Sequence, residues 1–252
     1  MKFFLTAALA LLAAAMPGAA QPPAVSPATS SVADATAPVP DGDPAGALAR
    51  LAPDADPDVI ALGLSAMQCA QAHGTGAGAT RLAVIDYSRS SLTPRLWVFD
   101  LAARKLLWHE WVAHGQGSGE DIPHRFSNTD GTHASSLGLF FTRDTYQGRN
   151  GYSLRMDGLE PGFNDAALAR AIVIHGAAYV NTEAGRAIGR LGRSWGCPAL
   201  RTAVAKPIID TLKNGQFVFS YYPEQAWLAR SALAQCAQAR ARRVDGKQYA
   251  AR

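Results

Sequence analysis

The stretch 172–200, IVIHGAAYVNTEAGRAIGRLGRSWGCPAL, decides how this chain is read. With Ala171 before it, Ile172-Val173-Ile174 forms a short apolar run of strand type. His175 and Gly176 come directly off its end. A strand end is a rigid place to hold an imidazole at a surface that substrate can reach. Cys197 follows 22 residues later, inside Ser194-Trp195-Gly196-Cys197-Pro198. A thiol is a good nucleophile only as the thiolate, and an imidazole can take its proton. Cys197 is therefore the candidate nucleophile, and His175 the candidate general base and later general acid. Gly196 lets the backbone turn sharply beside the cysteine. It also lets N–H groups approach a developing oxyanion, so the N–H groups of Gly196 and Cys197 are the candidate oxyanion hole. A lone cysteine is more often a small buried hydrophobe, and a lone histidine more often structural, so the pairing needs support from the rest of the chain.

Upstream, the texture is β from Arg81 onward. Leu82–Ile85, Leu96–Phe99 and Leu106–Trp108 are short apolar runs separated by turn residues, which predicts an antiparallel meander. Gly115 to Leu137 reads as a long polar loop, and loops of that length are uncommon unless functional. Gly138–Phe141 and Phe217–Tyr222 are further strand candidates. Pro207–Lys213 suits a short helix, with proline at its start and Gly215 just past its end. Glu224–Arg243 is Ala-rich and predicts one terminal helix. On the N-terminal side, Asp56-Pro57 is a helix start followed by an apolar stripe at Ile60, Leu64 and Met67, with His73-Gly74 ending it. The GxGxxA string Gly74–Ala79 follows a helix and precedes a strand, the reverse of a dinucleotide fingerprint, so no nucleotide is expected there.

Residues 1–20, MKFFLTAALALLAAAMPGAA, show a secretory signal pattern: Lys2, an apolar stretch from Phe3 to Ala15, a break at Pro17-Gly18 and small residues for cleavage. Residues 21–43 are rich in Pro, Ala, Ser and Thr and read as a flexible linker. The expected organisation continues with a helical extension over 44–79, a catalytic domain over 80–223 and a C-terminal helix over 224–252. No later segment reaches 18 apolar residues, so no membrane insertion is expected after signal cleavage. The 252 residues, 48% hydrophobic and 17% charged, suit a globular protein and exclude disorder throughout. Three cysteines are too few for a disulfide scaffold or a Cys₄ zinc site. The net charge of +4 does not call for nucleic acid.

The 172–200 stretch resembles the catalytic motif of the YkuD-like L,D-transpeptidases: an upstream His-Gly, then a Ser/Thr-His-Gly-Cys block. It is most similar to the murein L,D-transpeptidase catalytic domain family branch, which shares the form Gly192-Arg193-Ser194-Trp195-Gly196-Cys197-Pro198-Ala199. Two further elements of that branch occur in order: Phe126-Ser127-Asn128 with Ser135-Ser136-Leu137-Gly138, and Gly151 to Asn164. The resemblance covers about residues 80–222. It implies a mainly β fold, a YkuD-like β-sandwich, here with flanking α-helices at both ends. It implies cysteine acyl transfer on peptidoglycan stem peptides without metal or organic cofactor, in the periplasm or at the cell wall. His175 would be oriented by a backbone carbonyl, with Gly176 the candidate. Ser194, Arg193, Trp195, Arg155 and Asn164 are the candidate substrate-binding residues, the last two equally able to hold loops together. Trp195 stands where the motif usually has a second histidine, and Ala199 where Arg or Asn is usual. Arg193 or Arg201 is left to supply that cation.

Two other readings stay open beside the transpeptidase: an L,D-carboxypeptidase, in which water resolves the thioester, and a catalytically silent wall-binding module. A papain-like or NlpC-like hydrolase generally has its cysteine before its histidine, opposite to the order here. His114, His124 and His133 share the long loop with acidic residues, but no HxH or HxxxH spacing supports a metal site. Cys69 and Cys236 lie in predicted helices outside the matched core. In an oxidising compartment they either form a disulfide, leaving Cys197 free, or remain two buried thiols.

Overall fold

Strand β1 (Arg81–Asp86) lies at the middle of the fold, and from Leu82 onward every residue of it is buried. That is why its apolar run does not alternate: both faces are covered. Around it, the computed structural model describes residues 43–250; the expected signal peptide and all but the last residue of the linker lie outside the described residues. β2 (Leu96–Asp100) and β3 (Lys105–Glu110) continue from β1 as the expected antiparallel meander. The remaining strands are β4 (Val112–Ala113), β5 (Gly138–Gly148), β6 (Gly151–Gly158), β7 (Val173–Gly176), β8 (Ala199–Leu200) and β9 (Phe217–Tyr221). Together the nine described strands make one mixed sheet in the order β3-β2-β1-β9-β5-β6-β7-β8-β4. The pairs β1–β9 and β7–β8 are parallel.

Six helices flank this sheet among the described residues. α1 (Pro44–Leu51) and α2 (Pro57–Ala72) start on aspartate caps, Asp43 and Asp56, each with proline at the first turn. α2 packs against the sheet at Gly63, where an added methyl group would meet Phe219 at 2.9 Å and Val84 at 3.3 Å. α3 (Thr182–Ile188) is capped by Asn181, whose side chain accepts from the N–H groups of Glu183 and Ala184.

Two expectations are corrected. α4 (Thr202–Leu212) begins before Pro207, which lies inside it. Burial of Ala205, Ile208, Ile209 and Leu212 holds the helix across the proline's missing N–H. The C-terminal segment is two helices, α5 (Gln225–Arg230) and α6 (Ala232–Ala250), rather than one. The break is at Ser231, which is extended; its hydroxyl donates to Glu160 and accepts from the Ala234 N–H at 3.2 Å.

Cys69 on α2 and Cys236 on α6 form a disulfide, and Cys197 is the free cysteine. None of the described helices is long and apolar enough to cross a membrane.

Candidate active site

β7 and β8 bring the two chemical residues together. Their parallel register sets His175 beside Ala199, two residues past Cys197. The β8 side of the site is a stitched loop. The Ser194 N–H donates to the His114 carbonyl at 3.0 Å, and the Gln116 N–H to the Ser194 carbonyl at 2.8 Å. The Ser194 hydroxyl donates to the Cys197 carbonyl at 2.7 Å and accepts from the Gly196 N–H at 3.0 Å. Ser135 holds the same turn from the other side, donating to the Gly196 carbonyl at 3.0 Å and accepting from the Gly115 N–H at 2.9 Å. Gly196 has φ +116°, and a Cβ there would lie 2.7 Å from Ile172 and 2.9 Å from the Ala134 carbonyl. A glycine is required on both grounds.

Ser194 is thus a clamp of the nucleophile loop. Its hydroxyl also engages the Gly196 N–H expected in the oxyanion hole. The Cys197 N–H keeps its place as a candidate donor.

Cys197 is buried, with its sulfur accepting from the Val173 N–H at 3.4 Å and donating to the Ala171 carbonyl at 3.7 Å. Ala171 is a non-glycine residue in the left-handed region, at φ +52°. Burial pushes the thiol above its ordinary titration range, while the Val173 N–H and the Arg170 guanidinium pull it back. His175 is buried too, and burial lowers its pKa against the opposing bond to Gly176. Its Nδ1–H donates to the Gly176 carbonyl at 3.0 Å. That bond leaves the Nε2 lone pair as the base. At neutral pH these directions leave a protonated thiol and a neutral imidazole rather than a standing ion pair.

Arg170 was not singled out by its sequence context, where it is one arginine before an apolar strand. It is held by three acceptors: the Ser127 carbonyl at 2.6 Å, the Ser136 hydroxyl at 2.7 Å and the Ala134 carbonyl at 2.8 Å. The sequence candidates for the cation sit elsewhere. Arg193 donates to the Gly119 carbonyl at 2.6 Å and pairs with Glu120 at 2.8 Å, tying the long loop to the nucleophile loop. Arg201 forms a two-point pair with Glu110, at 2.6 and 3.0 Å, against Trp111.

The two candidates from the 151–164 element also have structural partners. Arg155 pairs with Asp144 and lies over the Tyr146 ring, 4.0 Å from its centroid. Asn164 is wholly buried; its Oδ1 accepts from the Glu160 N–H at 2.8 Å and its Nδ2 donates to the Leu139 carbonyl at 3.1 Å. Both amide atoms of Asn164 thus serve the backbone of the fold. Trp195 by contrast is 66% exposed on the rim of the site. Tyr179 is partly exposed on the same side; burial first and then the Cys197 charge push its phenol upward, so it stays protonated.

The polar loop between Gly115 and Leu137 is ordered by these contacts and contains a short 3₁₀ turn, Gln116–Ser118. Its histidines do not converge. His114 is buried against Arg95, whose guanidinium donates to Nδ1 at 2.8 Å, and no group of three or more metal-ligating side chains gathers among the described residues.

Residues 51–221 match the family model of the L,D-transpeptidase catalytic domain, a span that takes in α2 as well as the sheet. No curated protein matches the chain. Solved structures with a similar fold include an L,D-transpeptidase from Mycobacterium smegmatis (15% identity, 57% of this chain and 60% of that one, TM-score 0.35). Another is an L,D-transpeptidase from Stackebrandtia nassauensis (15% identity, 73% of this chain and 91% of that one, TM-score 0.35). The helical cell shape determining protein Pgp2 from Campylobacter jejuni is a third (10% identity, 70% and 61%, TM-score 0.40). The chain spans 60% of the length of the mycobacterial relative. The match over 51–221, two thirds of the sequence, establishes that this chain belongs to the L,D-transpeptidase catalytic domain family.

Proposed function

We propose that the protein is an exported cysteine acyltransferase that modifies peptidoglycan stem peptides as an L,D-transpeptidase. The observation that carries this reading is the His175 ring, whose Nδ1–H is fixed on the Gly176 carbonyl so that Nε2 is basic, one strand away from the single free cysteine. The Cys197 proton passes to Nε2 as sulfur attacks the carbonyl of the stem's third residue. The C–S bond forms, and the carbonyl oxygen takes the charge beside the Cys197 N–H. The bond to the terminal D-alanine breaks, and His175 returns the proton to the leaving amine. An amine of a second stem then attacks the thioester, gives its proton to His175, and releases Cys197.

In the resting arrangement the sulfur bonds to Ala171 and Val173, so the thiol turns from Ala171 toward His175 as substrate enters. Catalytic hydrogen bonds commonly tighten only in the substrate complex. The disulfide supports an oxidising compartment, as does the signal pattern of residues 1–20.

Intact-protein mass spectrometry after incubation with a carbapenem tests this reading. The wild type is expected to gain one acyl adduct, and the Cys197→Ala variant none. A wild type without an adduct on either the carbapenem or a stem tetrapeptide rejects the acyltransferase. With a tetrapeptide substrate, a cross-linked dimer supports transfer, and a tripeptide alone reassigns the protein as an L,D-carboxypeptidase.

A further inference from the structure

Trp195 occupies an unusual place for an indole. It lies two residues before the nucleophile and is 66% exposed. Its ring is nonetheless held in one orientation. The imidazole of His133 lies flat against it, with centroids 4.7 Å apart and planes within 5° of parallel. His133 is itself held. Its Nδ1 meets the Gln116 Nε2 at 3.0 Å, its carbonyl accepts from the Gly117 N–H at 2.9 Å, and its backbone is at φ +52°. That carbonyl would lie 2.3 Å from a Cβ at Gly115, so the 133 turn and the 115 segment are in close contact. One face of the indole is therefore covered and the other is presented to solvent. The exposed amide of Gln116 lies at the edge of the stack.

A flat, rigid aromatic face with a planar amide beside it has the shape and chemistry of a sugar-binding platform. The C–H face of a pyranose ring packs on an electron-rich indole, and an amide at the edge pairs with ring hydroxyls. Resting on the function proposed above, we infer that the Trp195–His133 stack is a subsite for an amino-sugar ring of the glycan strand, the ring that carries the donor stem. The reach is suitable. Three stem residues separate that sugar from the reacting carbonyl, about 10 Å of extended chain. Trp195 is two residues from Cys197 in the chain, and its exposed ring stacks on His133 of the long loop. A tryptophan at this position is thus a specificity device that selects glycan-linked stems over free peptide.

The test uses the full chain carrying Cys197→Ala, so that ligand is bound and not consumed. Isothermal titration compares a disaccharide-tetrapeptide with the same tetrapeptide without sugar. The disaccharide form is expected to bind roughly five-fold or more tightly, the scale of one aromatic stacking contact. Adding Trp195→Ala is expected to bring the ratio to about one, Trp195→Phe to retain part of it, and His133→Ala to reduce it. A ratio of one in the starting protein, or a ratio that survives Trp195→Ala, overturns the inference.

A third ligand separates this outcome from failure of the function itself. Chitotetraose carries amino sugars and no peptide. When neither stem ligand binds, Trp195-dependent quenching of fluorescence by chitotetraose still supports the platform, and its absence rejects it. Unchanged thermal melting of the Trp195 variants establishes that they are folded.

Discussion

At the scale of single residues, the site is a neutral pair whose charge is regulated by its surroundings. Burial works against the thiolate of Cys197, and Arg170 works for it. Arg170→Gln is expected to raise the thiol's titration midpoint, and Arg170→Lys to raise it less, read from the pH dependence of iodoacetamide alkylation. An unchanged midpoint in a folded Arg170→Gln protein would remove Arg170 from the site. The lowered pKa of His175 makes the acid limb of the acylation rate fall below the ordinary histidine range, near 6.5. Carbapenem acylation rates measured between pH 5 and 8 would show that displacement, and an acid limb at the ordinary histidine position would contradict it. His175, Gly176 and Cys197 could be proposed from sequence because they lie in one short motif. Arg170 was not, because its acceptors come from residues 34 to 43 positions away in the chain. For Asn164, substrate binding and loop holding stood level in the sequence for the complementary reason. Its side chain is of a type that binds substrate, and only its burial and two backbone bonds reveal what it holds.

Among the elements, Glu160 locks the C-terminal helices to the sheet. It is buried just past β6, and its carboxylate accepts from the Leu139 N–H at 2.6 Å, the Trp227 indole at 2.5 Å and the Ser231 hydroxyl. Glu160→Ala leaves three buried donors without their acceptor. A loss of about 3 kcal/mol or more is expected, since each orphaned group costs roughly 1–3 kcal/mol. Urea unfolding would measure it, and Glu160→Gln should recover part. The long loop has an equivalent anchor in His114. Burial first, and then the charge of Arg95, which donates to its Nδ1, push its pKa down to about 3. The unfolded chain takes up that proton near pH 6.5 and the folded one does not. Stability is therefore complete above pH 6.5 and is lost as pH falls toward 3, by up to about 1.4 kcal/mol per pH unit. His114→Asn should flatten that part of the profile relative to wild type in chemical unfolding at pH 6.5, 5.5 and 4.5. The short apolar runs of β1 to β3 and the Asp56-Pro57 helix start were visible locally. The break at Ser231 was not, because a carboxylate 71 residues away causes it.

For the whole molecule, the disulfide joins the two helical ends across the sheet's flank. It links positions 167 residues apart, so in the chain-entropy account it restricts the unfolded state by about 5 kcal/mol. Reduction, or Cys69→Ala with Cys236→Ala, is expected to lower the melting temperature strongly while leaving carbapenem acylation of Cys197 intact below the transition. Loss of acylation in the folded, reduced protein would instead couple the bridge to the site. The contact of α2 with α6 is supported further by Arg240, which donates to the Gln68 side chain.

The local sequence carries the motif behind the proposed chemistry: a histidine at a strand end, a cysteine in a glycine-bounded loop, and their order along the chain. It also determined the strands around them, because apolar runs and turn residues act over a few positions. The tertiary structure decided which charges reach the thiol, which N–H groups are already engaged, and that Cys69 and Cys236 meet. Those depend on partners brought together only when one mixed sheet sets β7 beside β8 and β1 beside β9. Short-range sterics and hydrophobic periodicity are written locally. Electrostatics and hydrogen-bond satisfaction are settled by neighbours in space.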